Sequence, residues 1–186
     1  MILFKFFILG VLSALLFPPF FMLPLGLIIF PYIIYLLNHD CNRQSFITYF
    51  FLGFFYGLGF LLFFLFWIYN PFLVNLETKN FAILAFILPI FLSLFFGLGF
   101  IIYKYIYNIF NLIIFTPIIF LFIELLISNI FYGFPWVTFS FILSNNFLGF
   151  YFLKYFGTYV SSYLIIFIYI LPALFIYSYK LKNVKK

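Results

Sequence analysis

The stretch FITYFFLGFFYGLGFLLFFLFWI, Phe46 to Ile68, runs for 23 residues without a charge. About 20 apolar residues suffice for a helix to cross the hydrocarbon of a bilayer. Hydrocarbon offers no water to backbone N–H and C=O groups, so such a stretch must satisfy them internally, as a helix. The rest of the chain agrees: 69% of its 186 residues are hydrophobic and 6% charged, with mean hydropathy +1.32. Soluble domains carry about 25% charged residues, so a surface this poor in charge needs lipid as its solvent. Phe, Ile, Tyr, Asn and Lys share A/T-rich codons. A run of Phe is therefore lipid-facing filler unless its position says otherwise.

Upstream of Phe46, no charge lies between Lys5 and Asp40, a stretch too long for one helix. Pro18-Pro19 divides it, because consecutive prolines remove backbone donors, and predicts helices over about 2–17 and 21–37. Phe17-Pro18-Pro19-Phe20 is a poor signal-peptide cleavage site, which argues against removal of the first segment. Asn38 to Ser45 reads as a polar loop. Downstream, helices are expected over about 81–103, 109–130 and 156–179, with Asn70 to Asn80 as a connection. Tyr132 to Lys154 carries Gly133, Pro135, Asn145, Asn146 and Gly149. It is too apolar for an ordinary linker, and 131–155 reads as an interfacial loop half-sunk in head groups. The expected fold class is all-α: one polytopic transmembrane bundle of about six helices over residues 1–186.

The net charge of +6 does not mark a nucleic-acid binder, since the basic residues form no stripe. With both termini in the cytoplasm, Lys5, Arg43, Lys104, Lys180, Lys182, Lys185 and Lys186 lie inside and only Lys79 and Lys154 outside, seven against two. The opposite orientation inverts the bias, so N-in and C-in is expected. One cysteine and one histidine leave no disulfide and no structural zinc site within the chain, and no cofactor is expected. His39-Asp40-Cys41 is not a catalytic triad, because successive residues point apart whereas nucleophile and base must converge. Gly53 with Gly57, and Ser93 with Gly97, form small-xxx-small pairs that let helix backbones approach in lipid. The segments 54–60 and 94–100 echo each other, but in too restricted an alphabet to define a repeat.

Glu124 is the most informative single residue. It sits about 8 Å from the outer end of its helix near Asn129, and an acid at depth costs about 2.5–3.5 kcal/mol on insertion scales. Two roles are open to it: a carboxyl hydrogen-bonded to a neighbouring helix, or a substrate-facing group. Gly133-Phe134-Pro135-Trp136 follows, with glycine ending the helix, proline preventing its resumption and tryptophan suited to head-group level. Trp67 and Tyr69 close the helix that begins at Phe46. The chain's two tryptophans, Trp67 and Trp136, are thus expected at one outer rim.

Glu124 followed after eight residues by Gly133-Phe134-Pro135-Trp136 resembles the core motif of the membrane domain of bacterial apolipoprotein N-acyltransferase. Phe17-Pro18-Pro19 is similar to that family's early Pro–Pro turn, and Gly57-Leu58-Gly59 leading to Trp67-Ile68-Tyr69 is similar to its third helix. The resemblance implies a multi-pass protein of the bacterial inner membrane, with phospholipid and lipoprotein substrates. It implies transfer of an acyl chain from phospholipid to the N-terminal amine of a diacylglyceryl-cysteine lipoprotein. It places the reactive cysteine, glutamate and lysine in a periplasmic nitrilase-like domain, which residues 1–186 do not contain. The chain is therefore expected to be a split or truncated acyltransferase, inactive alone, with a separately encoded nitrilase-like domain as a possible partner. Ile127 and Ser128 stand where the family often has Arg-Gly, and Ser140 and Leu143 where it tends to glycine and glutamine.

By this reading no residue here is catalytic or metal-binding, and Glu124, Gly133, Phe134, Pro135, Trp136, Trp67 and Tyr69 face lipid or substrate. Two other functions stay open: a small transporter or channel subunit, which needs several buried polar residues along a path, and a purely structural membrane subunit.

Overall fold

The computed structural model describes residues 1–41, 43–74, 77–110, 113–130 and 133–184. Asn42, Asn75, Tyr132, Lys185 and Lys186, which entered the reading of loops and orientation, lie outside the described residues. Seven α-helices are described: α1 (Ile2–Ala14), α2 (Gly26–Tyr35), α3 (Phe46–Phe64), α4 (Tyr69–Val74), α5 (Leu84–Phe110), α6 (Thr116–Asn129) and α7 (Phe147–Val184). No strand occurs among the described residues, and the fold is an all-helical bundle. Three segments are long and apolar enough to cross a membrane, Phe46–Phe64, Lys79–Ile106 and Phe147–Ile176. The other apolar helices, Ile2–Ala14, Leu23–His39 and Thr116–Asn129, are shorter.

The bundle closes around α3. A Cβ on Gly53 would strike the carbonyl oxygen of Phe96 on α5, and one on Gly59 would strike that of Phe7 on α1. Backbone-to-backbone contact on both sides of one helix is what small residues permit in lipid, where dispersion replaces the hydrophobic drive. The small-residue pairs read from the sequence thus lie at a seam, with Gly57 against the Phe96 side chain and Gly97 against the Phe50 ring. On the other side of the bundle α2 packs on α7, where Phe30 stacks on Tyr169 at 5.5 Å.

The helices alternate in direction. The Phe17 ring, just beyond α1, meets Phe60 and Phe64 near the end of α3 at 5.2 and 4.8 Å. At the opposite end Tyr49, near the start of α3, donates to the Leu37 carbonyl at 2.7 Å, and the Lys104 ammonium of α5 lies 5.0 Å from the Tyr49 ring centre. Prolines 31, 89 and 172 lie inside α2, α5 and α7, as packed helices in membranes tolerate.

Several boundaries differ from the sequence reading. The first helix is α-helical only to Ala14. Leu15, Leu16 and Phe17 continue it with three-residue hydrogen bonds to Leu12, Ser13 and Ala14, a tightening that stops at Pro18. The polar loop from Asn38 begins as a π-turn over Leu36–Asp40 that prolongs α2. The Asn70–Asn80 connection contains α4. The helix expected to end at Tyr103 runs on to Phe110, because the charge at Lys104 is buried over a tyrosine ring rather than solvated at a terminus. The helix expected from residue 109 starts at Thr116, with Pro117 in its first turn.

The 131–155 loop requires the largest correction. It holds a 3₁₀ segment, Phe139–Leu143, and α7 already begins at Phe147. The Asn146 side chain caps that start, accepting from the Gly149 amide at 2.6 Å. α7 is then broken at Gly157, whose φ of 71° and ψ of 177° belong to a region essentially reserved for glycine.

Gly53→Leu is expected to destabilise the bundle by roughly 3 kcal/mol or more, through overpacking against the Phe96 backbone. The check is the unfolding midpoint in mixed micelles; a variant as stable as wild type contradicts the α3–α5 seam.

Candidate functional site

Glu124 lies on the inward face of α6, 1% exposed, one turn before the helix ends at Asn129. The chain leaves α6 through Ile130 in extended conformation, and Gly133 takes a φ of 83°. Gly133 is thus not the helix cap expected of it; the helix has already ended. It serves the return turn instead. Its amide donates to the Ile130 carbonyl at 2.9 Å and that of Phe134 to the Ile127 carbonyl at 3.0 Å. A side chain there would strike the Ser128 carbonyl, so both torsion and space call for glycine.

The turn sends the chain back over the end of α6, and the carboxyl receives it. Glu124 Oε1 accepts from the Phe139 amide at 2.7 Å, and the Ser140 amide donates to the Ser162 hydroxyl of α7 at 2.9 Å. Ser162 stands close to the Glu124 carboxyl. Glu124 Oε2 and the hydroxyls of Thr138 and Ser140 are buried without a hydrogen-bond partner among the described residues. The Phe139 ring fills the middle of the bundle, 5.4 Å from Phe17, 5.7 Å from Phe60 and 5.5 Å from Phe120. Loop backbone at this depth is tolerated when protein buries and pairs it, and the carboxyl supplies that pairing.

Above this anchor the two tryptophans meet. The rings of Trp67 and Trp136 are 6.0 Å apart, edge to face, 46% and 54% exposed. With Pro18, Pro19, Phe64, Phe141 and Ser144 they line an open, mostly apolar groove of about 440 Å³. Pro135 is exposed beside Trp136, and Phe134 is half-buried against the core. Tyr69 stands apart from the groove, its ring 5.7 Å from Phe86. Glu124 does not line the groove; it holds Phe139, two residues from the Phe141 wall. Its carboxyl is bonded to the backbone of the returning segment at Phe139 rather than to a neighbouring membrane helix.

Sequence reasoning missed Phe139, Ser140 and Ser162 as parts of the anchor, and Phe141 and Ser144 as parts of the groove. A residue pair 15 apart leaves no periodic signal. Pro18 and Pro19 were read as a helix break and a family-like turn, not as part of a groove. His39 stacks on Tyr35 at 5.1 Å and Cys41 is buried; neither lines the groove. Among the described residues no group of three His, Cys, Asp or Glu could hold a metal.

Residues 9–171 match the family described as the apolipoprotein N-acyltransferase N-terminal domain. The chain belongs to that family. No curated protein matches the chain significantly. The N-acyltransferase membrane domain thus supplies the frame for the site, and the chain is a membrane protein. Ile127 is buried and its carbonyl serves the return turn. Ser128 meets the Tyr159 hydroxyl at 3.0 Å, and Ser140 is fully buried.

Glu124→Gln keeps an acceptor for the Phe139 amide, whereas Glu124→Leu leaves that N–H buried and unpaired, an expected loss of about 1–3 kcal/mol. Hydrogen exchange at the Phe139 amide reads the difference directly: slow in wild type and Glu124→Gln, fast in Glu124→Leu. Equal protection in all three contradicts the anchor.

Proposed function

We propose that this chain is the membrane part of an apolipoprotein N-acyltransferase, seating lipid at an outer rim while acyl transfer takes place in a nitrilase-like domain. The observation that carries this reading is the convergence of the family's separate strings. Pro18-Pro19, Trp67 and Trp136 come from three distant segments yet line one groove, and Glu124 fixes the loop that completes it. An apolar groove edged by tryptophans suits an acyl chain below and a head group above. Among the described residues no nucleophile–base pair stands beside the buried Glu124 carboxyl, so in this reading the site positions lipid rather than reacting with it.

In this proposal the chain crosses the bacterial inner membrane six times with both termini in the cytoplasm. The short helices α1, α2 and α6 serve as spans alongside the three longer ones. The basic residues favour that orientation seven to two, and the alternating helix directions fit an even number of crossings with both termini on one side. The tryptophan rim then faces the periplasm, where diacylglyceryl lipoproteins are acylated.

Co-expression with a separately encoded nitrilase-like domain is expected to yield N-acylated lipoprotein, read as a mass increase of one acyl chain, while the chain alone yields none. Trp136→Ala is expected to lower the yield roughly tenfold, equivalent to about 1.4 kcal/mol of lipid seating. No product in any pairing contradicts the reading and favours a structural subunit. Reporters fused after Asn75 and Asn145 are expected outside and one after Asn42 inside; the reverse pattern contradicts the orientation.

A further inference from the structure

Five buried side-chain nitrogen and oxygen atoms have no hydrogen-bond partner among the described residues, and three of them belong to the Glu124 anchor: Glu124 Oε2, Thr138 Oγ1 and Ser140 Oγ. Their residues are 1%, 3% and 0% exposed, too deep for head groups or bulk water to serve them. Chain geometry gathers them. The Phe139 amide is bonded to the carboxyl and the Ser140 amide to the Ser162 hydroxyl, itself close to that carboxyl. A Ser or Thr oxygen lies within about 5 Å of the amides of its own residue and the next. Thr138 Oγ1 and Ser140 Oγ are therefore tethered around the Glu124–Ser162 pair. Both amides already have acceptors, so what remains is a set of oxygens alone. Folded proteins leave few buried polar atoms unserved, and a cluster of them marks the place of a bound ion or water.

We propose that Glu124 Oε2 and the hydroxyls of Thr138, Ser140 and Ser162 together hold one alkali cation, sodium or potassium. The site goes beyond the lipid-seating reading and does not rest on it. Carboxylate and hydroxyl oxygens are hard donors, suited to hard cations rather than to zinc or copper. One carboxylate balances one positive charge. Calcium takes about six to eight oxygens and magnesium a near-ideal octahedron, which this set does not supply. A proton on Oε2 also removes the charge, but it joins that oxygen to one acceptor and leaves a hydroxyl unserved. A water brings hydrogen bonds without charge, whereas an ionised carboxyl at this depth needs a countercharge. Among the described residues no basic side chain is paired with Glu124. A cation supplies that charge and engages the oxygens together. The site also lies one turn from the C-terminal end of α6, where the helix dipole favours positive charge. The ligands come from α6, the returning segment and α7, so the ion ties together the three segments behind Trp136. Trp136 and Ser144, on either side of the buried stretch, are exposed, so the ion enters from the tryptophan-bearing end. Three of the four ligands are hydroxyls, residue types too common to mark a metal site before the chain is folded.

The test is the unfolding midpoint of the full chain in detergent, in sodium, potassium or choline chloride at equal ionic strength. The wild type is expected to melt roughly 3 °C or more higher in sodium or potassium chloride than in choline chloride, with a saturating dependence on the metal cation. Glu124→Gln keeps an acceptor for the Phe139 amide but no charge, and is expected to melt at one temperature in all three salts. Thr138→Val and Ser140→Ala each remove one ligand, and each is expected to raise the saturating concentration about tenfold. If Glu124→Gln does not fold, as judged by elution and circular dichroism, the two hydroxyl variants carry the test. Equal wild-type midpoints in the three salts overturn the proposal and assign the oxygens to a protonated carboxyl with water, leaving the lipid-seating reading untouched. Cation-dependent melting that survives unchanged in every folded variant overturns it too, because the ion then binds elsewhere.

Discussion

A 2.7 Å hydrogen bond from the Phe139 amide to Glu124 holds the tryptophan-bearing end of this bundle in place. Inside hydrocarbon a stretch of chain without helical hydrogen bonds is unstable unless protein groups pair its backbone. The segment from Val137 to Leu143 is such a stretch, partly 3₁₀ and deeply buried at Val137, Thr138, Phe139, Ser140 and Ile142. The carboxyl fixes its first 3₁₀ residue and Ser162 fixes the next. The Phe139 ring, wedged among Phe17, Phe60 and Phe120, fixes it again from the side-chain end. Trp136 and Phe141 flank this clamp and inherit their positions from it. A charged residue in a membrane helix is usually read as a sign of chemistry. Here it takes the place that a backbone partner has in regular structure.

The helical bundle was legible because lipid leaves few alternatives: long uncharged runs such as Phe46 to Ile68 must be helices. The glycine seam was legible for the same reason, since Gly53 and Gly57 on one face have meaning in lipid only as a close approach. Helix ends were less legible. Lys104 looked like a solvated terminus but rests over the Tyr49 ring, and the break inside α7 depends on the torsions of Gly157. Asn146 did carry a capping signal for α7, hidden among the other loop-forming residues around it.

The site was legible in its parts and not in its assembly. Glu124, Trp67 and the Gly133–Trp136 string stood out by residue type. That Pro18 and Pro19 complete the groove with the tryptophans follows from α1 and α3 ending at the same side of the bundle, a fact of tertiary packing. The role of Glu124 turned on Phe139, an apolar residue that contributes only its backbone N–H, and sequence patterns do not register backbone donors. Ser140 enters the anchor through its backbone amide, which donates to Ser162, while its small side chain lies fully buried.

Trp67 and Trp136 are the chain's two tryptophans and both edge the groove, so tryptophan fluorescence, excited beyond the tyrosine absorption, reports on the rim alone. The most direct measurement is quenching of that fluorescence in vesicles whose acyl chains are brominated at shallow or deep carbons. A groove opening to lipid just below the head groups predicts blue-shifted emission, quenched strongly by shallow bromine and weakly by deep bromine. Red-shifted emission untouched by bromine at either depth, but quenched by iodide in the water, contradicts the lipid-facing rim.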